Sequence, residues 1–241
     1  FAGAILFISV TPVYLVQLAP DFFNFAIILF AYFFWCYKEV AGPIAPASIG
    51  SWRTRWLLSP RSDVVAAILL GIATFSKPTH VGLIAPLLVS ALMRSQWRRC
   101  VTIGTVFGFV TAGLFAMNIA VTGEWNYQGG DRKSFYSVEG GGFPFQTEQR
   151  TFDTVGLGKV GGGVLTEVLT SRDALVDVFR HNLAYFFIGR HTGFAIYFLP
   201  GMMAMLLFLA ATRDRAVWQW LTLGAGLGSA AVLLLYMPFT Y

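Results

Sequence analysis

Charge is scarce in this chain. Asp, Glu, Lys and Arg together make up 12% of its 241 residues, about half the share of a soluble domain, which excludes a soluble fold with an ordinary charged surface. Cysteine is scarcer still. Cys36 and Cys100 are the only two, too few for a disulfide framework and without metal-ligand spacing, so both read as packing residues. There are three histidines, no His-Glu-x-x-His and no Gly-x-Ser-x-Gly, which removes support for zinc-protease and serine-hydrolase chemistry. No basic stripe runs along any segment, so nucleic acid is not a partner.

What the chain has is apolar sequence. Hydrophobic residues make up 56% and the mean hydropathy is +0.64, the composition of an all-α integral membrane protein. Seven apolar runs predict about seven spans: Phe1–Ala19, Phe22–Tyr37, Val64–Phe75, Val81–Met93, Val101–Val121, Phe194–Ala211 and Val217–Met237. The chain opens inside the first run without an initiator Met and stops just after the last. It therefore reads as one transmembrane domain, residues 1–241, from a longer protein.

Orientation follows from the loops, because Lys and Arg accumulate on the cytoplasmic side. Lys38, Arg53, Arg55 and Arg61 stand between the second and third runs, Arg94, Arg98 and Arg99 between the fourth and fifth, and Arg213 and Arg215 between the last two. Alternating spans put all three groups on one face. Asp21, the Ser76–His80 turn and a long polar insertion, Thr122–Thr192, then share the outer face. That insertion has seven basic and eight acidic residues, so it carries no positive bias. The net charge of +5 is mostly a topology signal.

Two runs are short. A helix of about a dozen residues covers roughly 18–20 Å of a hydrocarbon layer about 30 Å thick. Either the helices extend into their flanks, or the Ser76-Lys77-Pro78-Thr79-His80 tip sits below the outer surface. Lys77 is then either a snorkelling lysine or an intramembrane cation facing a cavity, with His80 beside it as a second donor. Ala41–Ser62, with Pro43, Pro46 and Pro60, predicts an irregular loop, in which Trp52 and Trp56 suit the membrane interface.

The insertion divides in two. Its first part, Thr122–Gly163, holds eleven glycines and predicts loops. In its second part Val164, Leu165, Val168, Leu169, Leu175, Val176, Phe179 and Leu183 recur at helical spacing with a break near Ser171, which predicts two short amphipathic helices on the outer surface. The run Gly156–Gly163 is not a phosphate loop, since Asp153 and Val160 occupy the places of a Walker Gly and Ser or Thr.

The remaining polar residues form three groups on the outer face. Asp21 after Pro20 is either a helix cap or a site carboxylate. Glu124, Trp125, Asn126 and Tyr127, followed by Asp131, Arg132 and Lys133, suit a site that stacks a sugar and neutralises a phosphate, or equally an interfacial aromatic belt. Arg190 and His191 stand where the chain re-enters the membrane, and Arg190 there binds a lipid headgroup or a specific phosphate.

The order of these features resembles the GT-C superfamily of membrane glycosyltransferases, in its bacterial branch near the lipid-A aminoarabinose and protein O-mannosyl transferases. Thr11-Pro12-Val13-Tyr14 through Pro20-Asp21-Phe22-Phe23 is similar to a broken span ending in an outward Asp. Gly71-Ile72-Ala73-Thr74-Phe75-Ser76-Lys77-Pro78 is close to a family pattern of Gly, apolar residues, Ser or Thr, Lys, then Gly or Pro. The resemblance implies a polyprenyl-phosphate sugar as donor, a glycan, lipid or protein acceptor, and an active site on the outer face of a bacterial inner membrane. It implies that Lys77, with His80 and Arg190, meets the donor phosphate. Asp21 would support the acceptor or a divalent metal, and the segment holding Glu124, Trp125, Tyr127, Asp131 and Arg132 would close over the sugar. The main catalytic carboxylate of the family lies on the first outer loop, which would precede Phe1. Some members use a divalent metal and others none, so no cofactor is fixed. A transporter and a non-catalytic membrane subunit are the competing classes, and no internal repeat supports the transporter.

Overall fold

The computed structural model of the protein describes residues 20–41, 52–123, 172–189, 193–211 and 214–236. Every element among them is helical: α1 (Pro20–Ala41), α2 (Trp52–Leu58), α3 (Pro60–Ser76), a 3-10 helix (Pro78–Ile84), α4 (Ala85–Met93), α5 (Trp97–Thr122), α6 (Arg172–Ile188), α7 (Phe194–Tyr197), α8 (Leu199–Ala210) and α9 (Val217–Tyr236). α1, α5 and α9 are long and apolar enough to cross a membrane, over Phe22–Ala41, Trp97–Val121 and Val217–Leu235. α2 and α3 qualify as one pair bent by 65°. With only helices to satisfy the backbone and an outward surface that exposes Phe30, Phe109, Met117 and Leu207, this is a helical integral membrane protein.

Six of the seven apolar runs fall on described helices, and Phe1–Ala19 lies outside them. The irregular loop expected over Ala41–Ser62 needs correction. Residues 42–51 lie outside the description, but Trp52–Leu58 is helical and α3 begins at Pro60. The cause is local: Ser59 Oγ accepts from the Arg61 N–H at 3.3 Å, and Pro60 stands in the first turn, where its missing N–H costs nothing. The third run is therefore longer than its apolar part, and it includes Ser62 and Asp63, both buried. The second run, likewise, extends to Ala41.

Small residues hold the centre together. α3 buries Ala66, Ala67, Leu70, Gly71, Ala73 and Thr74, a small-xxx-small surface that lets helices approach closely where lipid removes the usual hydrophobic drive. Gly71 suits that approach: a Cβ there would stand 3.0 Å from Val110 Cβ and 3.3 Å from the Phe107 carbonyl oxygen on α5, so α5 would have to give by a few tenths of an ångström. Around this contact Ala31, Trp35, Leu83, Ile84, Leu87 and Ile103 complete a core shared by α1, α3, α4 and α5. The 3-10 helix returns beside α1, where the Tyr32 hydroxyl donates to the Leu83 carbonyl at 2.9 Å. α9 covers the 3-10 helix and α4 with Gly224, Gly228 and Ser229, leaving a cavity of about 360 Å³ between them.

α6 belongs to the second part of the long insertion. It starts after the expected break near Ser171 and carries Leu175, Val176, Phe179 and Leu183; the preceding predicted helix lies outside the described residues. Asn182, fully buried, donates from Nδ2 to the Leu234 carbonyl at 2.8 Å and ties α6 to the C-terminal part of α9.

Candidate functional site

The two ends of the bundle are chemically different. At one end, the C-terminus of α1 and the N-termini of α3 and α5 meet in an ion layer. Asp63 accepts from Lys38 Nζ at 2.6 Å and takes a two-pronged contact from Arg99, Nε to Oδ2 at 2.8 Å and Nη2 to Oδ1 at 2.9 Å. Arg99 also reaches Glu39 Oε1 at 3.2 Å and donates to Gln96 Oε1 at 3.0 Å. Arg94 pairs with Glu39 Oε2. The Glu39 side chain is fully buried and that of Asp63 nearly so, at 4% exposure. Such carboxylates are tolerable in a membrane only because each is paired.

This layer changes how the basic residues read. Lys38, Arg94 and Arg99 hold helices together through two buried carboxylates, besides any part they play in setting orientation. Lys38 and Asp63 are paired, and fourteen residues separate each from Asn24 on α1 and Lys77 after α3 respectively, so both lie about 21 Å from the layer at 1.5 Å per residue. α5 runs on from Arg99 to Gly123, about 36 Å. By helix length α5 thus continues past the level of the Lys77 turn.

The turn itself is built by Pro78. Lys77 precedes it in an extended conformation, φ −142° and ψ 107°, as pre-proline residues prefer. The Lys77 N–H donates to the Ala73 carbonyl at 2.9 Å, and His80 Nδ1 lies 3.1 Å from the same oxygen. A carbonyl accepts only, so Nδ1 carries the proton there. Lys77 and His80, both half-buried, are therefore brought onto one short turn, as the sequence predicts.

Asn24 and Thr74 were not singled out by the sequence. Asn24 is 3% exposed, yet neither atom of its amide has a hydrogen-bond partner among the described residues, and Thr74 Oγ1 has none either. Both stand at or near the level of the Lys77 turn. Unsatisfied buried polar groups cost about 1–3 kcal/mol each, and a native structure that keeps them calls for a reason such as a water or ligand. A polar residue in the apolar run Phe22–Tyr37 was the available signal.

Asp21 lies in the first turn of α1, directly after Pro20, where the helix dipole favours an acid. By its position it is at the same end as Lys77. Glu124, Trp125, Tyr127, Asp131, Arg132 and Arg190 lie outside the described residues; the chain leaves α5 toward the first five through Gly123, a left-handed cap at φ 75°. Among the described residues no group of three His, Cys, Asp or Glu could hold a metal ion. Cys36 and Cys100 are both free and half-buried. Compared with protein-family models, with curated proteins and with solved structures, the chain matches none.

Proposed function

We propose that the chain is part of a membrane glycosyltransferase of the GT-C kind, moving a sugar from a polyprenyl-phosphate donor to an acceptor on the outer face of a bacterial inner membrane. In this reading seven spans cross the bilayer and the insertion 122–192 lies outside. The observation that carries it is the turn that joins Lys77 and His80, at the end of the bundle that also holds the buried, unsatisfied Asn24 amide. A lipid-linked donor keeps its polyprenyl tail in hydrocarbon and needs its phosphate met by a cation just below the surface, the place this reading gives to Lys77.

The chemistry divides between two partners. A carboxylate takes the proton of the acceptor hydroxyl as its oxygen forms a bond to the anomeric carbon. The bond from that carbon to the phosphate oxygen breaks on the opposite side, with inversion, and its electron pair stays on the phosphate. Lys77 and Arg190 stabilise that departing charge, joined by His80 as an imidazolium whose Nδ1–H stays on the Ala73 carbonyl and whose Nε2–H donates to the phosphate; Asp21 orients the acceptor, and Glu124, Trp125, Tyr127, Asp131 and Arg132 close over the sugar. No step here is routed through a metal.

The test is transfer of labelled sugar from a polyprenyl-phosphate donor by membranes containing the full-length protein, with Asp21→Asn alongside. Transfer by the wild type, largely abolished in the Asn variant with the fold retained, is the expected result, because an amide keeps a cap's hydrogen bond but not its charge. Near-normal transfer by Asp21→Asn would return Asp21 to a helix cap. No transfer by the wild type would leave the transporter or subunit reading.

A further inference from the structure

The ion layer borders a second site. A cavity of about 790 Å³ opens beside it, lined by Lys38, Arg98 and Arg99 with one carboxylate, Asp63, and by the apolar Leu58, Trp97 and Ile103. Charge around the layer does not balance. Lys38, Arg94, Arg98 and Arg99 stand against only Glu39 and Asp63, and Arg98, exposed at the first turn of α5, makes no ion pair among the described residues. The segment 42–51 that links the neighbouring helices contains no Asp or Glu to compensate.

We propose that this cavity holds the phosphate of an anionic phospholipid, at the end of the bundle opposite Lys77. The cation surplus selects an anion, and the apolar half of the lining selects an amphiphile over a free ion. Its depth fits as well. Trp97 is 68% exposed and Val101 59%, and they begin the apolar span of α5, so the opening sits where headgroup meets acyl chain, the setting in which basic pockets between helices take lipid phosphates. Arg99 and Lys38 form the fixed, already paired floor. Arg98 is the cation left to meet the ligand.

The test titrates the purified full chain with phosphatidylglycerol, phosphatidylcholine and inorganic phosphate, reading bound lipid by native mass spectrometry and the unfolding midpoint in parallel. Phosphatidylglycerol should bind and stabilise, and phosphatidylcholine should not. Arg98→Gln should lower phosphatidylglycerol affinity about fivefold while leaving the lipid-free midpoint unchanged, since Arg98 takes no part in the buried pairs. Arg61→Gln, an exposed cation nearby that does not line the cavity, should leave affinity within about twofold, as a rim charge outside the site does little. Equal losses in the two variants would show diffuse surface attraction and overturn the site. So would an unchanged Arg98→Gln. Equal protection by inorganic phosphate would assign the cavity to a soluble anion and overturn the lipid assignment.

Discussion

The ion layer and the Lys77 turn handle the same difficulty, polar groups inside an apolar bundle, in opposite ways. In the layer, two buried carboxylates are closed by three cations, Lys38 and Arg99 from two helices and Arg94 from the turn after α4. Near the turn, a buried amide and a buried hydroxyl are left without partners among the described residues. Paired charge fixes helix positions, whereas polar groups left open cost stability and are kept for a ligand or water. The comparison gives one end a structural task, and the proposed function places its chemistry at the other, with Gly71 between them on α3.

The largest expected effect lies at the closed end. Asp63→Leu removes the carboxylate shared by Lys38 and Arg99 and leaves cations buried without their partner, so unfolding in detergent should show a loss of about 3–5 kcal/mol. A loss below 1 kcal/mol would mean that water reaches the layer and that the pairs hold nothing. Next comes Gly71→Ala, whose Cβ meets Val110 and the Phe107 carbonyl. It should destabilise by about 1–3 kcal/mol and, by pushing α3 from α5, lower donor affinity as well; a neutral result would show that the helices can part without consequence. The smallest effect has the opposite sign. Asn24→Leu replaces an unsatisfied amide with an apolar side chain of similar size, so the fold should gain about 1 kcal/mol while sugar transfer falls. A destabilised Asn24→Leu protein would show that the amide has a structural partner after all.

Much of this fold was legible from apolar periodicity. α1, α5 and α9 are continuous runs with few charges, and the break near Ser171 marked the start of α6. The N-terminus of α3 was legible too, in Ser59 followed by Pro60, but three prolines nearby made the whole of Ala41–Ser62 read as loop. The ion layer was not legible. Glu39 and Asp63 meet Arg99 across sixty and thirty-six residues, and a basic residue at a span end looks alike whether it is solvated or paired with a buried acid. For the candidate site the reverse holds. Lys77, Pro78 and His80 announce their turn locally, since Pro78 dictates it. Asn24 stood out only as a polar residue inside an apolar run, and its depth comes from packing between α1 and its neighbours.

The most direct test crosses the two ends. Lys77→Met and Arg99→Met each remove one cation, and in the same preparation both the unfolding free energy and the affinity for polyprenyl phosphate can be measured. Arg99→Met should lose about 3–5 kcal/mol of stability with donor affinity retained by the folded fraction. Lys77→Met should lose less stability than Arg99→Met and about 1.5–3 kcal/mol of binding, roughly ten- to a hundredfold in affinity. Unchanged affinity in Lys77→Met, or both losses falling on one variant, would contradict the division of the bundle into a structural end and a donor-binding end.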